Sequence, residues 1–178
     1  SIKGETTVEF YNKNRELRNR VRYLLKKIFG VEASPYYART VEAIRVHSRT
    51  LVRFLAQLGY PLRKKSRNAK IPAPLFSSPE SVIRSFLTAY IACDGHISKN
   101  GIEVTTASKD MLTGISYLLQ RIGIIYRISE KVVDSRQYFR IEVPAREAVK
   151  IAAYFRKERF YNSTDIVPMN SGLFRKIL

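Results

Sequence analysis

Asp94 is the residue whose surroundings most clearly indicate chemistry. It ends an apolar run, Phe86–Cys93, and Gly95 follows it directly. A carboxylate at the C-terminal end of a helix opposes the helix dipole, so the acid does not stabilise the helix that it ends. The same run carries small residues that would let a second helix pack closely against it; they are Ser85, Ala89, Ala92 and Cys93. Two such helices, each ending in an acid, could hold divalent cations between their carboxylates.

Alternative interpretations of these residues are simpler. Asp94 could simply be a solvent-exposed acid at the C-terminal end of a helix, without a functional role. The chain has one cysteine and two histidines, too few for an ordinary zinc site, and neither histidine has a dyad spacing with Cys93. We therefore interpret Cys93 as a packing residue. A single cysteine also leaves no intrachain disulfide and fits a reducing compartment, so we expect a cytoplasmic protein.

The net charge indicates the class of partner. Among 178 residues, 32 are lysine or arginine and 15 are aspartate or glutamate, which gives a formal net charge of +17. A domain this basic most often binds nucleic acid, because phosphate contacts release condensed counterions. A solvated basic surface and a structural protein of a ribonucleoprotein remain alternatives. No stretch reaches the ~18 apolar residues of a membrane span, and no helix combines a basic face with an exposed apolar face, so we expect no membrane partner.

An internal repeat relates the two halves of the sequence. The segments Tyr11–Gly30 and Thr106–Ile124 both contain the tripeptide Tyr-Leu-Leu within a helical apolar stripe. Adding 94 to Leu17, Val21, Leu24, Leu25 and Ile28 gives Met111, Ile115, Leu118, Leu119 and Ile122. Asn14 and Ser108 precede the helices as N-caps, and Gly30 and Gly123 follow them. Matching stripes, caps and stops predict a duplicated unit.

Each predicted unit reads strand, helix, strand, strand, helix. In the strands, Val8 and Phe10 share one face of the first unit, and Ile102 and Val104 share the corresponding face of the second. We predict a first lobe over residues 1–59 and a second over 80–178. The segment 60–79, rich in proline, serine and basic residues, is predicted as a linker. Near its end, Ser78 is predicted to cap the helix that leads to Asp94.

The stretch "FLTAYIACDG", Phe86–Gly95, resembles the LAGLIDADG motif of homing endonucleases, most closely the second motif of archaeal and intein-associated members. The order of elements and the duplication extend the resemblance over the whole chain. It implies an α+β fold, a pseudo-twofold duplicated αββαββα-type arrangement, whose two antiparallel sheets form a DNA-binding saddle. It also implies a prokaryotic, archaeal source.

The resemblance also implies roles for individual residues. Asp94 would bind Mg²⁺ or another divalent cation, and Lys65 or Lys70 would lie near the scissile phosphates as a catalytic residue. Outward side chains of the strands would contact DNA bases and phosphates. In the first lobe these are Lys3, Thr7, Tyr11, Arg39 and Arg45. In the second lobe they are Lys99, Thr105, Arg127, Ser129, Lys131, Arg136, Tyr138 and Arg140.

The chain departs from a two-lobed member of that family in one respect, because only the second motif is present. By the repeat, Ser1-Ile2 correspond to His96-Ile97, so we expect the first motif helix to come from outside these residues, from a separate polypeptide if not from the same chain. The predicted function is a site-specific homing endonuclease that cleaves double-stranded DNA by metal-dependent phosphodiester hydrolysis. The alternative is a non-cleaving nucleic-acid-binding relative, such as an RNA-splicing maturase or a DNA-binding regulator.

Overall fold

The computed structural model describes residues 2–38, 41–62 and 65–157. The chain forms two compact units, Ser1–Arg63 (unit 1) and Lys64–Leu178 (unit 2). Both mix helices with antiparallel sheets, which confirms the predicted α+β class. Within the described residues, no helix is both long enough and apolar enough to cross a lipid bilayer.

Unit 1 consists of a four-stranded sheet with the strand order β1-β2-β4-β3, accompanied by helices. Its described elements are β1 (Ile2–Lys3), β2 (Thr7–Tyr11), α1 (Arg15–Phe29), β3 (Ser34–Ala38), β4 (Val41–His47) and α2 (Arg49–Gln57). A small core lies between the sheet and the helices, where Ile44, Val46 and Leu51 are buried.

Unit 2 repeats this topology and adds helices before it. Its described elements are α3 (Lys65–Asn68), a 3₁₀ turn (Ala73–Ser77), α4 (Glu80–Asp94), β5 (Gly95–Ser98), β6 (Gly101–Thr106), α5 (Lys109–Arg121), β7 (Arg127–Val133), β8 (Arg136–Pro144) and α6 (Ala145–Lys157). The sheet order is β5-β6-β8-β7, the same as in unit 1. Its core is larger and continuous, with Leu118 and Ile141 inaccessible to solvent.

The predicted repeat is confirmed at the ends of its helices. The Asn14 side chain accepts hydrogen bonds from the backbone N–H groups of Glu16 and Leu17, and Ser108 accepts one from Met111. Gly30 and Gly123 follow the two helices with φ of 66° and 68°. A left-handed backbone of this kind favours glycine, so both copies end their helices by the same device.

The predicted strand faces are also confirmed. Val8 and Phe10 pack on the unit 1 core. Ile102 and Val104 are buried in unit 2, whereas the alternate position Thr105 is exposed. The turn between β7 and β8 falls at Asp134 and Ser135, both at positive φ.

Two sequence predictions need correction. The segment 60–79 is not only a linker, because Ile71 and Leu75 are buried in the unit 2 core. Gly114 of α5 leaves the space for Ile71, since a Cβ there would lie 2.3 Å from Ile71 Cγ1. Ser78 does not cap α4: its hydroxyl donates to the carbonyl of Pro74, 2.8 Å away, and Pro79 occupies the cap position. Proline fixes the entry angle without a side-chain cap.

Candidate nucleic-acid interface and metal-binding acid

Helix α4 buries one side and exposes the side that carries the small residues. Ile83, Leu87 and Ile91 face the core of unit 2 and are at most 3% exposed. The predicted packing residues lie away from that core: Ser85, Ala89 and Cys93 are exposed and Ala92 is half-buried. The helix therefore presents to solvent a stripe of side chains that are small enough for another helix to approach closely.

Gly95 explains why the acid is followed by glycine. Its N–H donates to the carbonyl of Ile91, and the chain turns at once from α4 into β5. A Cβ at Gly95 would lie 2.6 Å from the Ile91 carbonyl oxygen, which no side chain tolerates without a backbone shift. This close approach places Asp94 at the junction between α4 and the edge strand of the sheet.

The surroundings of Asp94 act against its negative charge. Although the residue is exposed, the protein around its carboxyl group raises its pKa by desolvation. The same environment raises the pKa of Tyr90 to about 12, first by desolvation of the phenol and then by the charge of Asp94. A cation at Asp94 would favour the ionised form of the acid and so offset this desolvation.

A divalent cation fits the chemistry of Asp94, because a carboxylate oxygen is a hard ligand of the kind that Mg²⁺ prefers. One carboxylate is not a complete site, and no group of three or more acidic, histidine or cysteine side chains forms one in the described part of the chain. Of the two predicted catalytic lysines, Lys70 is exposed immediately before buried Ile71. Lys65 begins α3, and its side chain lies outside the described structure. Both roles stay predictions.

The strand register of unit 2 brings most of its predicted DNA contacts onto one face. Thr105 pairs with Arg140, and Arg140 pairs with Ser129, so these three lie side by side. Tyr138 pairs with Lys131 in the next row of the same face. Arg127 and Arg136 complete this surface, which we call the outer face of unit 2, and Lys99 lies in the turn between β5 and β6. Arginines, a lysine and hydroxyl groups on one sheet face are suited to phosphate and base contacts.

Arg140 is paired with two acids that lie on the same outer face. Its Nε lies 3.1 Å from Glu103 Oε1, and a terminal nitrogen lies 3.5 Å from Glu142 Oε1. Both glutamates line a cavity of about 390 Å³ together with His96 and Arg127. The pairs are partly exposed, so they hold Arg140 in position more than they stabilise the unit.

The predicted contacts of unit 1 are more strongly engaged within the protein. Arg45 donates to Glu9, at 2.6 Å from its terminal nitrogen, and its guanidinium lies 3.4 Å from the centre of the Tyr36 ring. The Tyr11 hydroxyl donates to the same carboxylate. Burial acts to raise the pKa of Glu9, but the hydrogen bonds from Tyr11 and Arg45 outweigh it and hold that pKa below its usual value. Bonding to Glu9 raises the pKa of Tyr11 to about 12.

Thr7 and Lys3 lie at the other end of this face. Thr7 is buried, and its hydroxyl lies 3.0 Å from His47 Nδ1, whereas Lys3 is exposed on β1. No functional role was predicted from the sequence for Glu9, Tyr36 or His47. Strand parity places Glu9 beside Tyr11 and indicates the pairing in retrospect. Arg39, another predicted contact, lies outside the described residues.

The chain is similar to short segments of much longer proteins. It is 38% identical over 165 residues to a component of the A-type ATP synthase of Pyrococcus abyssi, a match that covers 92% of this chain and 16% of that protein. It is 35% identical over 147 residues to the replication factor C small subunit of Methanocaldococcus jannaschii, which covers 79% of this chain and 8% of that protein. The chain thus spans less than a fifth of the length of these relatives.

The fold is similar to that of a homing endonuclease. The crystal structure of I-DmoI in complex with DNA and Ca superposes with a TM-score of 0.68 at 13% identity, covering 92% of this chain and 80% of that one. The family described as the LAGLIDADG-like domain matches residues 1–59 and 81–156, on both sides of the segment that joins the two units. The family resemblance of the Asp94 helix is thereby confirmed, and the chain belongs to the LAGLIDADG-like domain family.

Proposed function

We propose that the chain is the DNA-recognition and cleavage part of a homing endonuclease, which hydrolyses phosphodiester bonds of double-stranded DNA with a divalent cation, Mg²⁺ by preference. The observation that carries the proposal is the position of Asp94, at the end of α4 and at the edge of a sheet whose outer face is lined with basic and hydroxyl side chains. I-DmoI, of similar fold, was crystallised with DNA and Ca.

Each group has a distinct task in this reaction. Arg127, Lys131 and Arg140 bind backbone phosphates or base edges and hold the duplex on the outer face. Asp94 would hold the cation, which would supply Lewis-acid chemistry for phosphodiester hydrolysis. Lys65 or Lys70 stabilises the negative charge that develops on the scissile phosphate. The tight turn at Gly95 fixes the carboxylate relative to the sheet that holds the DNA.

A second carboxylate completes the site in this proposal. The exposed small-residue stripe of α4 supports it, because Ala89 and Cys93 permit the close approach of a sister helix that ends in its own acid. We propose that this helix comes from outside the 178 residues, from the same polypeptide or a separate one.

The relatives favour a mobile insert as the source of the chain. Similar segments occur in an ATP synthase component and in a replication factor component, which share no obvious activity, and they occupy 16% and 8% of those proteins. An endonuclease carried within unrelated host proteins, as in an intein, accounts for this distribution. The expected location, the cytoplasm of a prokaryote, stays a prediction.

A second candidate function is sequence-specific DNA or RNA binding without cleavage. One observation favours it. In the described part of the chain, Asp94 does not belong to any group of three or more acidic, histidine or cysteine side chains that could hold a metal. Binding by the outer face needs no cation, so the two functions differ in metal dependence.

A selection followed by a cleavage assay tests the proposal. Duplexes from a randomised library are selected for binding, and the preferred duplex is incubated with Mg²⁺ or with EDTA. Two proteins are compared. One is the 178-residue chain, and the other, the two-helix version, has a second copy of Glu80–Gly95 placed before Ser1, so that the added segment supplies a sister helix. We expect metal-dependent double-strand cleavage by the two-helix version. Tight, specific binding with no cleavage by either form would favour the binding function instead.

A further inference from the structure

A basic cavity lies in unit 1 on the side of the sheet that carries α1, away from Arg45 and Tyr11. It has a volume of about 410 Å³ and is lined by the N-terminal half of α1 and by β3 and β4. We call it the α1 pocket; its charged lining residues are Lys13, Arg15, Arg18, Arg22 and Glu42. Arg15, Arg18 and Arg22 recur at helical spacing, so one stripe of α1 turns three guanidinium groups toward this region.

The only carboxylate among the lining residues is already neutralised. Arg18 is 9% exposed and forms an ion pair with Glu42, and it also donates to the carbonyls of Asn12, at 2.6 Å, and Lys13, at 3.0 Å. The side chains of Lys13, Arg15 and Arg22 make no hydrogen bond or ion pair within the described part of the chain, and all three are exposed. Arg22 also interacts electrostatically with Glu32, which does not line the pocket. The pocket therefore keeps an excess of positive charge.

The internal repeat shows that the fold does not require this polar arrangement. Adding 94 converts Arg18 and Arg22 to Leu112 and Ser116. Phe10 pairs with Ile44 and Val104 pairs with Ile141, so Glu42 corresponds to Phe139. In unit 2 the same place is filled by apolar packing, with Leu112 8% exposed and Phe139 packed on the core. The Glu42 side chain is 46% exposed, and a partly exposed ion pair contributes little to stability, so stability alone does not explain the charged version.

We propose that the α1 pocket binds a phosphate group. Arginine forks match phosphate geometry, and one phosphate with up to two negative charges would offset most of the excess that Lys13, Arg15 and Arg22 create. The group could be a backbone phosphate of nucleic acid or a free phosphate, because both present the same oxygens. Phosphate binding by the α1 pocket does not depend on the proposed nuclease function. DNA matters only for deciding which of the two phosphate sources occupies the pocket.

The test follows the arginine side-chain N–H signals of the 178-residue chain by NMR while sodium phosphate replaces sodium chloride at constant ionic strength. We expect saturable shifts of the Arg15 and Arg22 signals. The double variant R15A/R22S, which carries at position 22 the serine found at the repeat position, should bind phosphate at least about tenfold more weakly. The control K27A/K109A removes the same charge outside the pocket and should change affinity by less than about twofold.

Equal weakening in both double variants would overturn the proposal, because it would mean attraction to net charge alone. Unshifted Arg15 and Arg22 signals would overturn it as well. Unchanged backbone amide signals establish that each variant is folded. Adding duplex DNA to the phosphate-saturated chain then identifies the source: DNA that displaces phosphate from Arg15 and Arg22 assigns the site to the backbone, whereas undisturbed signals assign it to free phosphate. If the chain binds no DNA, the inorganic phosphate result still decides the proposal.

Discussion

Units 1 and 2 share one topology but have interiors of different character. In unit 2, the repeat positions Leu112 and Phe139 belong to a continuous apolar core. In unit 1 the equivalent Arg18 and Glu42 form an ion pair, and on the opposite face Glu9 is buried with Arg45. The sheet and helix pattern therefore tolerates either an ion pair or apolar packing between α1 and β4 or their repeat equivalents. On the opposite face both units keep an acid at the repeat position, buried as Glu9 in unit 1 and partly exposed as Glu103 in unit 2.

The largest expected effect concerns the helix end at Asp94. We predict that Asp94→Asn in the two-helix enzyme lowers the cleavage rate by about 10³-fold or more, a loss typical of removing a central electrostatic group, while DNA affinity changes little. Cleavage of the selected duplex in Mg²⁺ measures the rate, and filter binding in Ca²⁺ measures the affinity. Asp110→Asn, which removes an exposed acid from the first turn of α5, is the control. Cleavage by D94N at the wild-type rate would refute the role of Asp94.

The buried acid of unit 1 gives the next largest effect. Glu9→Gln weakens the hydrogen bonds that Arg45 and Tyr11 donate to a buried carboxylate, so we expect a loss of about 2 kcal/mol in the free energy of unfolding of unit 1. The matched control is Glu103→Gln at the repeat position, which is partly exposed and should cost less than about 0.5 kcal/mol. Urea unfolding followed by amide signals of each unit measures both. Equal losses in E9Q and E103Q would show that the burial of Glu9 adds nothing to the stability of unit 1.

The lowered pKa of Glu9 should also make the stability of unit 1 depend on pH. The pKa of this carboxyl group is lowered in the folded state, so its stabilising effect is fully present above the usual carboxyl pKa and is lost as the pH falls through the lowered value. Unit 1 should therefore lose stability below about pH 4 more steeply in the wild type than in E9Q. Urea midpoints between about pH 7 and pH 3 supply the measurement, and identical slopes in the two proteins would contradict the assignment.

Converting the unit 1 interior to that of unit 2 sharpens the comparison. Glu42→Phe alone leaves the buried Arg18 guanidinium without its carboxylate and should cost about 2 kcal/mol in the free energy of unfolding. The pair R18L/E42F should recover most of that loss, because it reproduces the Leu112–Phe139 arrangement. A double-mutant cycle measured by urea unfolding gives the coupling, and additive losses would argue against equivalence of the two positions.

The smallest predicted effect tests how the segment before α4 joins the unit 2 core. Gly114→Ala places a Cβ against the Ile71 side chain, so we expect a loss of about 1 kcal/mol in spite of the better helix propensity of alanine. The exposed neighbour Thr113 serves as control, since Thr113→Ala should be neutral or slightly stabilising. Thermal unfolding measures both, and stabilisation by G114A would show that Ile71 moves aside without cost.

The sequence predicted the parts of the fold that depend on local periodicity. Asn14, Ser108 and the alternation around Val8 and Ile102 carry their signals within a few residues. Ile71 could not be placed in this way, because its neighbours are prolines and lysines and its burial depends on Gly114, distant in sequence. Strand parity placed Arg45 on the outer face, but its pairing with Glu9 depends on the register of β2 with β4, which parity alone does not give.

The most direct test of the account is whether a cation binds at Asp94 when DNA is bound. Mn²⁺, added in small amounts to the DNA complex of the two-helix enzyme, broadens the NMR signals of nuclei close to it. If Asp94 holds the cation, the Asp94 and Gly95 amide signals should broaden selectively, and Asp94→Asn should remove this broadening. Broadening centred instead on His96, Glu103 and Glu142, the acids and imidazole of the neighbouring cavity, with Asp94 unaffected, would contradict it.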